Sequence, residues 1–150
     1  MAQYLSNELA GTTTGLSTSA GVGYKPKASV YGGRLKRMRA TVTLAAQTTS
    51  DTLSLGNLPA GAVFAFGVIN TDTSLGTSTL SIGTAASAAA YRAAATFTAT
   101  DTPTLFGKAA AEAGSDTGAT TETQIVGTIA TANLPASGTL VVDVFYSIPS

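Results

Sequence analysis

The sequence predicts an all-β fold: an antiparallel β-sandwich or jelly-roll-like body of about eight strands, preceded by an extended N-terminal arm. Three observations predict it. Gly (16 copies), Thr and Val are abundant while Lys, Glu and Gln are scarce, a balance that favours pleated strands and tight turns over helices. Successive runs alternate apolar and polar residues with period two. Polar turn clusters separate those runs, and one of them is written twice, as NLPAG at Asn57 to Gly61 and NLPASG at Asn133 to Gly138. At 150 residues the chain suits one core, and its charged share of 11% is under half the usual level of about 25%. Thr, Ser, Asn and Gln therefore have to do most of the solvation.

Met1 to Gly33 carries the clusters GTTTG, GVG, YGG and YKPK, few large apolar side chains and no sustained period, so it cannot build a core alone. Residues 1–33 are read as a docking arm and residues 34–150 as the sandwich body. The first body strand is RLKRMRATVTLA, with Met38, Ala40, Val42 and Leu44 on one face and Arg37, Arg39, Thr41 and Thr43 on the other. TLSL (52–55) runs into the first NLPAG turn, and AVFAFGVIN (62–70) follows as a strand apolar enough to be central. TSTLSIG (77–83) alternates Leu80 and Ile82 against Thr79 and Ser81. SAAAYRAAATFTA has helix-forming alanines, yet Tyr91, Ala93, Ala95 and Phe97 share one side of a two-residue period, which predicts a strand. A short strand through Leu105 and Phe106 comes next, with Pro103 at its start or at an edge. TQIVGTIATA (123–132) and TLVVDVFYSI (139–148) flank the second NLPASG turn. Each turn holds a Pro with preset φ and an Asn or Gly able to take turn geometry, as expected of matching corners in two halves of a sandwich.

Charge divides unevenly along the chain. Lys25, Lys27, Arg34, Lys36, Arg37 and Arg39 are opposed before position 40 only by Glu8, a net +5, and the remainder is net −5. Such a stretch faces an acidic partner or is the solvated face of a protected edge strand. Only Tyr24 and Tyr31 lie near it, too few aromatics for a nucleic-acid module, so no nucleic-acid partner is expected. No stretch approaches the roughly 18 apolar residues of a membrane span, and the first residues lack a signal-peptide pattern. The chain is therefore expected to be soluble, cytoplasmically made and without a membrane partner.

The absent residues narrow the chemistry. With no Cys and no His there is no thiolate nucleophile, no Cys-based metal site and no Ser-His-Asp triad. Asp143 interrupts VVDVF on the side of Val141 and Phe145, so it requires a partner such as an Arg or a subunit contact if that face is buried. Asp72 in NTDTS and Asp101 in ATDTP match Asx-turn chemistry better than a calcium loop. GVG and YGG are not phosphate loops, because no strand precedes them and no helix follows. No catalytic residue, metal or cofactor is expected.

The runs LPAGAVFAFGVINTDTSLGTSTLSIGTA, YRAAATFTATDTPTLFGK, TQIVGTIATANLPASGTLVVDVFYS and YGGRLKRMRATVTLA resemble the tailed-bacteriophage head decoration, or capsid cement, proteins. The resemblance implies a structural virion protein that binds the outer surface of an assembled capsid. It also implies the major capsid protein as partner, a position around symmetry axes between capsomers, and a homotrimer. The expected docking residues are Tyr24, Lys25, Lys27, Tyr31, Arg34, Lys36, Arg37 and Arg39. Ordering an arm of about 30 residues costs about 30 kcal/mol, offset by about 1,200 Å² of apolar burial at about 25 cal/mol per Å². That area lies within the range of coupled folding and binding. The alternatives are another virion component (fibre base, collar or tail protein) or a carbohydrate-binding sandwich. The last is disfavoured by the absence of Trp and by Tyr and Phe on core-patterned strands.

Overall fold

A computed structural model describes residues 34–108 and 118–148. The strands are β1 (Leu35–Thr43), β2 (Thr52–Leu58), β3 (Val63–Thr71), β4 (Thr79–Thr84), β5 (Arg92–Thr96), β6 (Thr104–Phe106), β7 (Thr123–Ala130) and β8 (Thr139–Ser147). Among the described residues there is no helix. The arm, 1–33, with Tyr24, Lys25, Lys27 and Tyr31, lies outside the described residues.

Two four-stranded sheets form, ordered β1-β8-β3-β6 and β2-β7-β4-β5, with antiparallel pairing throughout. Every connection except β4 to β5 passes from one sheet to the other, and this order is that of a jelly roll. Alternation drives the layering. Met38, Ala40 and Val42 of β1 pair in register with Val144, Val142 and Leu140 of β8, and all six point inward. Ile69, Leu80, Ile82, Ile125, Leu140 and Val142 are fully buried between the sheets. The aromatic end of the core stacks Phe64 on Tyr91 at 4.1 Å between ring centroids and on Phe106 at 6.3 Å.

The repeated turn is a pair of corners. Each carries the chain from the second sheet to the first, β2 to β3 and β7 to β8. Because β2 and β7 are antiparallel, the corners sit at opposite ends of the sandwich. Both bury their leucine, Leu58 and Leu134. They differ in detail. Asn57 and Leu58 still belong to β2, and the turn proper closes with Ala62 N–H donating to the Pro59 carbonyl at 3.0 Å. The second copy lies wholly in the loop after β7, where the Pro135 carbonyl accepts from Ala46 N–H at 2.9 Å.

Strict period two fails at three bulges. The register shifts between Ser54 and Gly56 in β2, so Leu53, Leu55 and Leu58 all point inward despite their uneven spacing. A second shift between Phe64 and Phe66 sends Phe64 into the core and Phe66 to the outer surface. A third shift, between Leu80 and Ile82 against β5, breaks the alternation expected for the alanine-rich run: Tyr91 and Phe97 are buried, but Ala93 and Ala95 are exposed on this edge strand.

Candidate docking face

β1 is an edge strand of the first sheet; Arg37 and Arg39 lie on its outer side, Lys36 alternates to the side of Met38, and Arg34 directly precedes the strand. Basic side chains on a long free edge also discourage pairing with another sheet. Arg39 is committed to Asp143, its register partner on β8: Nε donates to Oδ1 and Nη2 to Oδ2, both at 2.7 Å. Asp143 is buried, at 8% exposure, so the paired fork supplies the partner that its place in the strand requires. Hydrogen bonds from Arg39 hold the Asp143 carboxyl below its ordinary pKa, assisted by the charges of Arg39 and Arg37 against the opposing effect of burial. Arg37 stands 4.0 Å from the same carboxylate with its side chain half exposed. Among the described residues, Arg34 and Lys36 have no carboxylate partner.

Behind this basic edge lies an apolar field. Phe66 and Phe145 face each other across β3 and β8 and stack on the outer surface, with centroids 4.6 Å apart and planes 17° from parallel. Val68 and Val141 continue the field, and Leu105 of β6, opposite Val68, is 71% exposed. A shallow depression of 190 Å³ opens between them, lined by Arg39, Val68, Asn70, Pro103, Val141 and Asp143. Asn70 lines it, and its Oδ1 is buried and accepts no hydrogen bond. The outer face of the second sheet is different in kind: Thr52 pairs with Thr128, and Gln124 donates to Ser54 at 3.0 Å, a hydroxyl and amide surface.

Sequence reasoning placed Arg37, Arg39 and Asp143 on the outer side of their strands, but it missed the apolar field. Phe145 was legible, because it shares the alternation of Asp143. Phe66 was hidden by the bulge that reverses it against Phe64, and Leu105 by the shortness of β6. The two turn aspartates behave as turn residues: Asp72 accepts from Thr139 N–H at 2.7 Å and from the Thr73 hydroxyl at 2.9 Å. The Asp101 N–H donates to the Thr71 carbonyl at 2.8 Å from a positive φ of 51°.

No protein-family model matches the chain, and no curated protein matches it. Solved structures do. The chain is similar to a chain of the cyanophage Pam1 capsid asymmetric unit, with 26% identity over 79% of this chain and 88% of that one and a TM-score of 0.63. It is similar to a chain of the capsid of Ralstonia phage GP4, with 20% identity over 79% and 86% and a TM-score of 0.61. A chain of the acidic stable capsid structure of Helicobacter pylori bacteriophage KHP30 shares 19% identity over 77% and 89%, with a TM-score of 0.56. All three neighbours are chains of phage capsid structures, and this chain shares their fold over 77–79% of its length.

Proposed function

We propose that the protein is a non-catalytic structural component of a tailed-phage virion, a decoration or cement protein that binds the outer surface of the assembled head and clamps neighbouring capsid subunits. The observation that carries this reading is the likeness to the Pam1 capsid chain, which spans 88% of that chain. The jelly-roll order, common among viral capsid domains, supports it. So does the basic edge of β1, which continues directly from the leader and suits acidic groups on a capsid. In this reading Met1 to Arg39 is the main docking segment, the partner is the major capsid protein, and the assembled form is a homotrimer.

Co-sedimentation with purified intact heads tests the proposal. The protein is expected in the pellet at a fixed ratio to the major subunit, and imaging is expected to find it on the head rather than on a collar or tail. Deleting the residues before Gly32 is expected to abolish binding while leaving the sandwich folded. Unchanged occupancy after that deletion refutes the role of the arm, and absence from the pellet refutes attachment to the head.

A further inference from the structure

We infer that the free edge of β1 is a strand-docking site whose occupant is residues 16–24 of the same chain, LSTSAGVGY, paired antiparallel with it so that they close the open side of the sandwich. The inference concerns the isolated protein and does not depend on attachment to a capsid.

Backbone hydrogen bonds fix which groups of β1 are free. Bonded and non-bonded pairs alternate along an antiparallel ladder. Leu44 N–H donates to the Gly138 carbonyl at 2.8 Å, which by the register makes Lys36, Met38, Ala40 and Val42 the residues bonded to β8. On the far side of β8 the Asp72 N–H donates to the Thr139 carbonyl at 3.2 Å, as that phase requires. Leu35, Arg37, Arg39 and Thr41 therefore turn their N–H and C=O groups away from the sheet. The carbonyl of Thr43, next in the series, accepts from the Gln47 amide at 2.9 Å. No described strand meets this ladder, because β1 ends its sheet. The other edges are blunted. A bulge interrupts β2, the Arg92 guanidinium donates to the carbonyls of Leu80, Ala95 and Thr96 beside β5, and β6 is three residues long.

The apolar row along the same edge is half open. Met38, Ala40 and Val42 are half-buried, whereas their register partners Val144, Val142 and Leu140 are at most 1% exposed. An occupant therefore needs an extended backbone with its larger, mostly apolar side chains at every second position. No period is sustained across the leader as a whole, but within 16–24 Leu16, Thr18, Ala20, Val22 and Tyr24 alternate with serine and glycine. Setting Val22 beside Met38, Ala20 beside Ala40 and Thr18 beside Val42 places Gly23 and Gly21 opposite Arg37 and Arg39, where the missing side chains leave room for two long ones. Residues 26–34, with Pro26, Gly32 and Gly33, then make the connection, and this short tether gives the segment a high effective concentration at its own edge. The β1 strand of a second copy fits less well, because antiparallel pairing over its full length sets Arg39 against Arg39.

Hydrogen exchange tests the pairing, followed by NMR amide by amide on the full chain without heads. The N–H groups of Leu35, Arg37, Arg39 and Thr41 are expected to be protected in the parent. Ser19→Pro removes a donor from the added ladder, and Val22→Asp sets a charge beside Met38. Each is expected to speed exchange of those four amides about tenfold or more, while Met38, Ala40 and Val42, bonded to β8, stay as slow as before. If the four amides exchange as fast in the parent as in the two variants, the edge is open and the inference falls. If Ser6→Pro exposes them equally, another part of the leader covers the edge and the assignment to 16–24 falls. Protection that disappears on dilution means that the strand comes from another copy, which overturns the inference as well.

Discussion

Asp143 shows how one residue couples strand pairing to electrostatics. Alternation places it outward on β8, and the β1–β8 register sets Arg39 directly opposite, 104 positions away in sequence. The need for a cationic partner was therefore legible, but which arginine supplied it was not, because register between distant strands leaves no local trace. The Asp143 pKa is depressed in the folded state, chiefly by the hydrogen bonds from Arg39. The pair therefore stabilises fully above the unfolded carboxylate pKa of about 3.9, and this contribution is lost as pH falls through the lower folded value. Asp51 and Asp72 shift the same way, through backbone hydrogen bonds from Thr48 and Thr139. Without histidine, the melting temperature is expected to be flat from about pH 5 to pH 8 and to drop below about pH 4. Asp143→Asn is expected to melt lower at neutral pH and to lose less on acidification; a parallel acid profile in thermal melts would remove the pair from this account. Gly67 is a second decisive residue. A Cβ there would run into the Phe106 ring, whereas one at Gly107 meets open space. Gly67→Ala is expected to cost about 1–3 kcal/mol in urea unfolding, and Gly107→Ala no more than about 0.5 kcal/mol.

At the scale of elements, the eight strands were legible because each alternates for at least part of its length between turn-forming clusters. Their errors were local and share one cause. A bulge inserts one residue and inverts every side chain beyond it, and nothing in AVFAFGV distinguishes a straight strand from one that reverses at Ala65. The consequence is measurable. Phe64 is buried at 7% exposure against Tyr91 and Phe106, while Phe66 is half-buried and stacks on Phe145 outside the core. Phe64→Ala is expected to cost about 3–5 kcal/mol. Phe66→Ala is expected to cost under about 2 kcal/mol, mainly the stacking and partial burial. Equal costs in chemical denaturation would mean that both rings share one face and that the bulge is absent in solution. Leu58 and Leu134 explain why the NLPA corner recurs: each plugs one end of the sandwich where the chain changes sheets, a need that arises at both ends of a closed two-layer core.

For the whole molecule, what the sequence could not express is neighbourhood. Eight strands in two sheets follow from pattern and turns, but pairing the first body strand with the last requires the closed jelly roll. That closure puts the edge strand β1 beside the outer aromatics of β3 and β8, two features that lie far apart in the chain and that, in the proposed docking role, act on binding in different ways. Exposed charges steer encounter and are screened within about 10 Å at 0.1 M salt and about 3 Å at 1 M. Apolar contacts form after encounter and resist dissociation. The two should therefore separate in kinetics measured on immobilised heads. Raising salt is expected to slow association of the parent protein steeply, and replacing Arg34, Lys36 and Arg37 together by Ala is expected to flatten that dependence with little change in dissociation. Leu105→Ala is expected to do the reverse, leaving association and its salt response intact while speeding release by several fold. If the triple replacement leaves the salt dependence unchanged, the cations of β1 do not face the partner, and steering has to come from Lys25 and Lys27 in the arm.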